Sequence, residues 1–150
     1  MPIRYAQISD VPALVQFGAR MHALTRFRTQ PYNAQKIAQT FVDLLDKGAG
    51  KYVFFVAQSA DEKLVGALIG VIEQQIFSDL FTASVMHIDV LPEYRMGGYG
   101  LRLLKAFEQW AKNRNVVEMQ FGVNSEDDMD KIGKFAVRLG YRKVGENYVK

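Results

Sequence analysis

The chain has no cysteine among its 150 residues. That single absence removes disulfides, thiolate-held metal sites and cysteine nucleophiles together, and it fits a reducing interior. Long apolar runs are also missing. The longest, from Leu64 to Ile72, is nine residues broken by Gly66 and Gly70, against the ~20 that a membrane-spanning helix needs. The opening MPIRYAQISD holds no apolar core of a secretory leader, so a cytoplasmic protein without a membrane partner is the expectation. Charge of either sign is modest. The 19 basic and 16 acidic residues leave +3, which leans toward an anionic ligand and is too little to argue for nucleic acid. Only Arg26 and Arg28 approach a basic cluster with an aromatic between them. No spacing suggests a metal site. No repeat, linker or low-complexity segment divides the chain, so a single domain over residues 1–150 is expected, large enough for a real core.

What is present reads as alternating strands and helices. Pro2 to Ile8 suits a short strand. Ser9-Asp10 followed by Pro12 is a helix start, with a capping side chain and a proline in the first turn. Val11, Leu14, Val15, Phe17 and Met21 then recur at helical spacing. Thr25 to Asn33 breaks the pattern as a loop. A second helix is predicted over Ala34–Lys47, from the spacing of Ile37, Phe41, Leu44 and Leu45, and Gly48 and Gly50 end it. Tyr52–Gln58, Leu64–Ile76 and Leu80–Leu91 read as a three-stranded antiparallel meander. A helix over about Gly98–Asn113 follows, with Leu101, Leu104, Phe107, Trp110 and Ala111 on its buried face. Val116–Val123 reads as a strand and Asn124–Asp130 as a polar cap. Ile132–Leu139 reads as a helix capped by Gly140, and Tyr141–Val149 as a closing strand.

The stretch Val85–Lys112 joins a strand to a helix through a basic, glycine-rich turn. Such a turn offers the free N–H groups of the first helical turn and the positive end of the helix dipole, which suits an anion. Gly98 and Gly100 lack Cβ, so backbone can approach phosphate oxygens there. Gly97 by itself needs no more than a tight turn. Two other phosphate motifs are excluded. There is no G-x-x-x-x-G-K-[ST], and a dinucleotide G-x-G-x-x-G would need glycine where Leu103 stands.

Arg95-Met96-Gly97-Gly98-Tyr99-Gly100 fits Arg/Gln-x-x-Gly-x-Gly/Ala. It follows a strand that ends Val90-Leu91-Pro92-Glu93-Tyr94 and precedes the leucine-rich helix from Leu101. This constellation resembles the acyl-CoA-binding motif of the GNAT N-acyltransferase superfamily, and the terminal LGYRKVGENYVK resembles that family's closing segment. The resemblance covers the order of elements in the whole chain. It implies an α/β (α+β) fold with a mixed, mostly antiparallel central sheet of six to seven strands flanked by about four helices. It also implies acetyl-CoA as the cofactor, held at its pyrophosphate by main-chain N–H groups of Met96, Gly97, Gly98, Tyr99 and Gly100, with Arg95 adding charge. Ile88, Asp89 and Val90 would carry the pantetheine arm, Ile88 and Val90 offering main-chain groups as a paired strand does. The implied partner is an amine acceptor, small molecule or protein, and a homodimer is left open.

Acyl transfer to an amine needs a base, because a lysine-like amine has a pKa near ~10.4. The family often places a glutamate on the strand before the turn, where this chain has Ser84 and Met86. His87 and Asp89 lie beside them and share a strand face by period-two alternation. His87 is the leading base candidate, since histidine changes charge near neutrality; a packed strand histidine is the alternative. Asp89 either orients His87 or forms an ion pair. Glu73 and Glu118 are further options. The family's tyrosine acid falls on Ala136 here and its asparagine on Met129, which leaves Tyr141 and Tyr148 as substitutes. A thiol pKa near ~8.5 also lets the thiolate leave unaided. Arg26, Phe27, Arg28 and Tyr32 lie in the loop that shapes the acceptor side in family members. The expected activity is acetyl transfer from acetyl-CoA to a primary amine by direct attack. A non-catalytic acyl-CoA-binding module is the alternative.

Overall fold

The computed structural model describes residues 3–48, 50–122 and 129–150. The elements are β1 (Ile3–Tyr5), α1 (Val11–His22), α2 (Ala34–Lys47), β2 (Tyr52–Gln58), β3 (Leu64–Gln74), β4 (Phe81–Val90), α3 (Tyr99–Lys112), β5 (Glu118–Phe121) and α4 (Met129–Arg138), with 3-10 turns at Ile8–Asp10, Arg26–Thr29 and Pro92–Gly97. Among the described residues the strands form one sheet in the order β1-β2-β3-β4-β5. The first four run antiparallel, and β5 pairs parallel to β4. A parallel neighbour cannot be reached by a hairpin, and α3 is the crossover that reaches it.

Both faces of the sheet are covered, which is why YVFFVAQ is apolar without alternation. Val53, Phe55 and Ala57 of β2 point into the cluster that holds Leu103, Leu104, Phe107, Trp110 and Ala111 of α3. Phe54 and Val56 point the other way, into a cluster with Leu14 of α1, lined by Phe41, Leu44 and Leu45 of α2. Leu103 is fully buried, whereas Leu101, expected on the buried face of α3, is only half-buried.

The glycines that interrupt the longest apolar run have a packing reason. A Cβ built on Gly70 would stand 2.8 Å from Cδ1 and Cε1 of Phe107 and 3.0 Å from Val53. The missing side chain is the groove in which the Phe107 ring lies on the sheet.

Three expectations are corrected. The sheet has five strands among the described residues, fewer than six to seven. The closing strand Tyr141–Val149 does not form a ladder. The Tyr141 N–H turns back to the Ala136 carbonyl at 3.0 Å, and the charged Lys143 and Glu146 bond each other instead of presenting a strand edge. The edge strand β5, whose Phe121 packs on Tyr141, is four residues long and offers few rungs. Finally, Asp10 does not cap α1. Its carboxylate accepts from the Gln7 N–H at 2.8 Å and from both Arg4 terminal nitrogens at 2.8 Å, so it ties β1 to the start of α1. The expected polar cap at 124–130 lies mostly outside the described residues, as does Val123.

Gly70→Ala should lower stability by about 1–3 kcal/mol, because the added methyl overpacks against the fully buried Phe107 ring. Chemical denaturation checks this; an unchanged midpoint would show that Phe107 has room to move.

Candidate active site

The site is built where β4 stops being paired on one side. Along β3 the partners run Gly66–Val90, Ala67–Asp89, Leu68–Ile88 and Ile69–His87, then jump to Gly70–Val85, which leaves Met86 as an unpaired bulge residue. Along β5 the pairing runs from Thr82–Glu118 to Val85–Phe121 and goes no further. Among the described residues, the β5-facing edge of β4 beyond Val85 is therefore open. The direction of its groups follows from one bond. The Leu91 N–H donates to the Val65 carbonyl at 2.8 Å, so the groups of Leu91 and Asp89 face β3. By alternation those of Val90 and Ile88 face the open edge. Arg95 Nε donates to the Val90 carbonyl at 3.1 Å, which leaves the Val90 N–H and both groups of Ile88 on that edge.

The bulge also sorts the side chains. Directly paired residues share a face. Ile88 and Val90, opposite Leu68 and Gly66, point toward α3 with Ala83 and Val85. His87 and Asp89, opposite Ile69 and Ala67, point toward the α1 and α2 side. The one-residue insertion at Met86 lets Val85 and Ile88 both face the core.

After Val90 the chain makes a 3-10 turn over Pro92–Gly97, closed by the Tyr94 N–H on the Leu91 carbonyl at 2.8 Å. Gly98 then takes φ +78° and becomes the N-cap of α3, a left-handed conformation that favours glycine. The first bond into α3 runs from the Arg102 N–H to the Gly98 carbonyl at 3.1 Å, so the N–H groups of Tyr99, Gly100 and Leu101 precede any intrahelical bond. Gly100 differs from its neighbours. A Cβ there would meet only Val90 Cγ2, at an ordinary 3.9 Å, so the fold itself does not require glycine. The open space stands outside a helix N-terminus, where it suits an anion's close approach. Tyr94 and Tyr99 stack edge to face at 6.2 Å and the Arg102 guanidinium lies 5.6 Å from the Tyr99 ring, bracing the turn.

The charges converge on the same end of β4. Burial pushes the Asp89 carboxyl above the usual carboxylate range, and the neighbouring His87 and Arg95 act the other way. Glu93 receives two parallel bonds from Arg20 of α1, both 2.7 Å. That guanidinium holds the Glu93 carboxyl down to about 2, with Lys63 a lesser contributor.

His87, Asp89 and Arg95 are thus brought together, and Met96 to Gly100 lie at the start of α3. Tyr141 has partners of its own beside the end of β5. Its hydroxyl donates to Glu108 Oε2 of α3 at 2.9 Å and its ring packs edge to face on Phe121 at 4.8 Å. Burial and the Glu108 carboxylate both push the phenol well above its ordinary value. Glu73 and Glu118 both pair with Thr82, five residues along β4 from His87, about 16 Å at ~3.3 Å per residue. Tyr148 is exposed. In the Thr25–Asn33 loop, the Tyr32 hydroxyl donates to the Val15 carbonyl at 2.7 Å and its ring stacks on His22. Arg28 donates to the Thr25 carbonyl at 3.0 Å, and the Arg26 guanidinium lies over Phe27 at 4.3 Å. Arg20 and Glu108 were missed by sequence reasoning, because their partners are 73 and 33 residues away. No group of three or more His, Asp or Glu among the described residues could hold a metal ion.

Residues 20–141 match the family model described as Acetyltransferase (GNAT) family. No curated protein matches the chain. Among solved structures, a probable acetyltransferase superposes with a TM-score of 0.80 at 17% identity, covering 100% of this chain and 97% of that one. Glucosamine-6-phosphate N-acetyltransferase from Arabidopsis thaliana gives 0.78 at 13% identity, over 99% and 95% of the two chains. An aminoglycoside acetyltransferase from an uncultured soil metagenomic sample, in complex with sisomicin, gives 0.70 at 19% identity, over 99% and 94%.

A carboxyl whose folded pKa is raised loses favour as pH rises from its unfolded value of ~3.9 through the folded one. The stability of the wild type relative to Asp89→Asn should therefore fall as the pH is raised through the range above about 4. Thermal melts across that range check it; a difference that grows with pH would mean that Asp89 is stabilised as the anion.

Proposed function

The chain belongs to the GNAT acetyltransferase family, and on that premise we propose that it moves an acetyl group from acetyl-CoA to a primary amine by direct attack. The observation that carries the reading is the end of β4–β5 pairing at Val85, just ahead of a turn that presents unpaired helical N–H groups. An extended amide-bearing arm finds the Ile88 and Val90 groups on that edge. A pyrophosphate at the end of the arm finds the amides from Met96 to Gly100, where Gly98 and Gly100 present no side chain. Coenzyme A has both parts in that order, and its thioester supplies an activated acetyl carbonyl.

The chain's own residues supply the rest. The acceptor nitrogen forms the new C–N bond as the C–S bond breaks, and its proton must go to a base. His87 takes that proton in this reading, and Asp89, on the same face and partly buried, orients the imidazole. The Tyr141 hydroxyl is committed to Glu108, which supports departure of the sulfur as thiolate without a tyrosine acid. No cysteine is needed, since the acetyl group is never held by the protein. The cytoplasm, and an acceptor that is a small molecule or a protein, complete the reading. A non-catalytic acyl-CoA-binding module is the second reading, favoured by Ala136 and Met86 where the family often has its acid and base.

Gly100→Glu is the sharper test of the cofactor site. Its Cβ fits, whereas any substitution at Gly98 adds backbone strain at positive φ. Calorimetry should show coenzyme A affinity falling at least ~10-fold in a folded protein, since the carboxylate sits where a phosphate must. Retained affinity would place the pyrophosphate elsewhere. For the chemistry, thiol release from acetyl-CoA is followed across amines that include an amino-sugar phosphate, an aminoglycoside, a polyamine and a lysine peptide. His87→Ala should lower kcat by roughly 10²–10⁴ on whichever acceptor turns over and remove the ascending limb of its pH profile. An unchanged profile removes His87 as base, and binding without turnover on every amine favours the module.

A further inference from the structure

The feature the mechanism leaves unexplained is a carboxylate at the threshold of an anion site. Glu93 stands in the Pro92–Gly97 turn, five residues before Gly98, where its charge opposes any phosphate bound at the start of α3. Arg20 reaches it from the last turn of α1, across 73 residues of sequence, with two parallel N–H···O bonds of 2.7 Å. The two side chains are 48% and 44% exposed, so the pair's contribution to folding is modest even with its bidentate geometry. Lys63, which carries its ammonium 5.7 Å from the Tyr94 ring, adds positive charge beside the same carboxylate. Two cations therefore attend one anion beside the glycine turn. Arg95, in the same turn, spends its Nε on the Val90 carbonyl and so fixes the turn to β4.

We propose that Arg20 is a positioning residue for the acyl-CoA: acting through Glu93, it cancels the one negative charge in the turn whose amides face the pyrophosphate. This rests on the cofactor reading above and deepens it. The consequence is a charge linkage between α1, which leads into the Thr25–Asn33 loop, and the cofactor turn. Arg20 touches neither the reacting atoms nor, in this reading, the phosphates, so its loss should act on binding and leave the chemical step alone.

The test is coenzyme A binding by calorimetry to wild type, Arg20→Ala, Arg20→Lys, Glu93→Ala and the Arg20→Ala/Glu93→Ala double variant. Circular dichroism confirms that each is folded. At low salt Arg20→Ala should bind about three- to tenfold more weakly, and the loss should shrink in ~1 M salt, where charges are screened within a few ångströms. Arg20→Lys should recover most of the affinity. Removing both charges should restore it to within about twofold of wild type, because the offending carboxylate has gone with its partner. Where an acceptor is known, KM for acetyl-CoA should rise with kcat unchanged. A double variant as weak as Arg20→Ala, or an Arg20→Ala variant equal to wild type, overturns the proposal while the cofactor reading stands. A wild type that binds no coenzyme A overturns both.

Discussion

Everything at this site depends on an unused strand edge. Backbone N–H and C=O groups must find partners, and a strand in the middle of a sheet ordinarily spends both edges on its neighbours. β4 spends one edge on β3 along almost its whole length. It spends the other on β5 only as far as Val85. The residues beyond, Ile88 and Val90, keep main-chain groups for something else. One of these, the Val90 carbonyl, is taken by Arg95, which bends the following turn back against the strand. The turn delivers a left-handed Gly98 and then α3, so the open edge and the unpaired helical amides are consecutive features of one piece of backbone. An extended ligand with an anionic end is the shape that satisfies both.

The same geometry separates two kinds of work. The α3 side of β4 is core: Val85, Ile88 and Val90 pack with Phe107 and its neighbours. The opposite side carries His87 and Asp89. Had β4 been regular, Val85 and His87 would share a face, and the core would lose either an apolar contact or its dryness. The bulge at Met86 resolves this. Met86 occupies the irregular position of the strand, and the ionisable groups follow it. Asp89, pushed toward its neutral form by burial, then sits beside an imidazole in a setting that differs from a lone strand glutamate.

The turn residues were legible in the chain itself. Gly98, Gly100 and Arg95 announce themselves because glycine's conformational freedom and the helix dipole are local properties. The helical spacing over Ala34–Lys47 is likewise local, and α2 runs over those residues. Strand identities were legible too, though boundaries moved by up to three residues, as where β1 ends at Tyr5 and not at Ile8. The closing strand was not. Tyr141–Val149 has strand-forming composition, but a strand exists only where another offers rungs, and no part of the segment itself can reveal that β5 is four residues long. Tyr141 looked like a spare hydroxyl until Glu108 took it.

What the sequence by itself determined is the order of the parts at the candidate site, since an apolar strand, a basic glycine turn and an amphipathic helix are set by neighbours along the chain. Only the tertiary structure decided which edge of β4 stays open, which face His87 and Asp89 occupy and that Arg20 of α1 neutralises Glu93. Those are contacts between residues tens of positions apart. Sheet register and side-chain burial choose them, and neither quantity exists until the chain has folded.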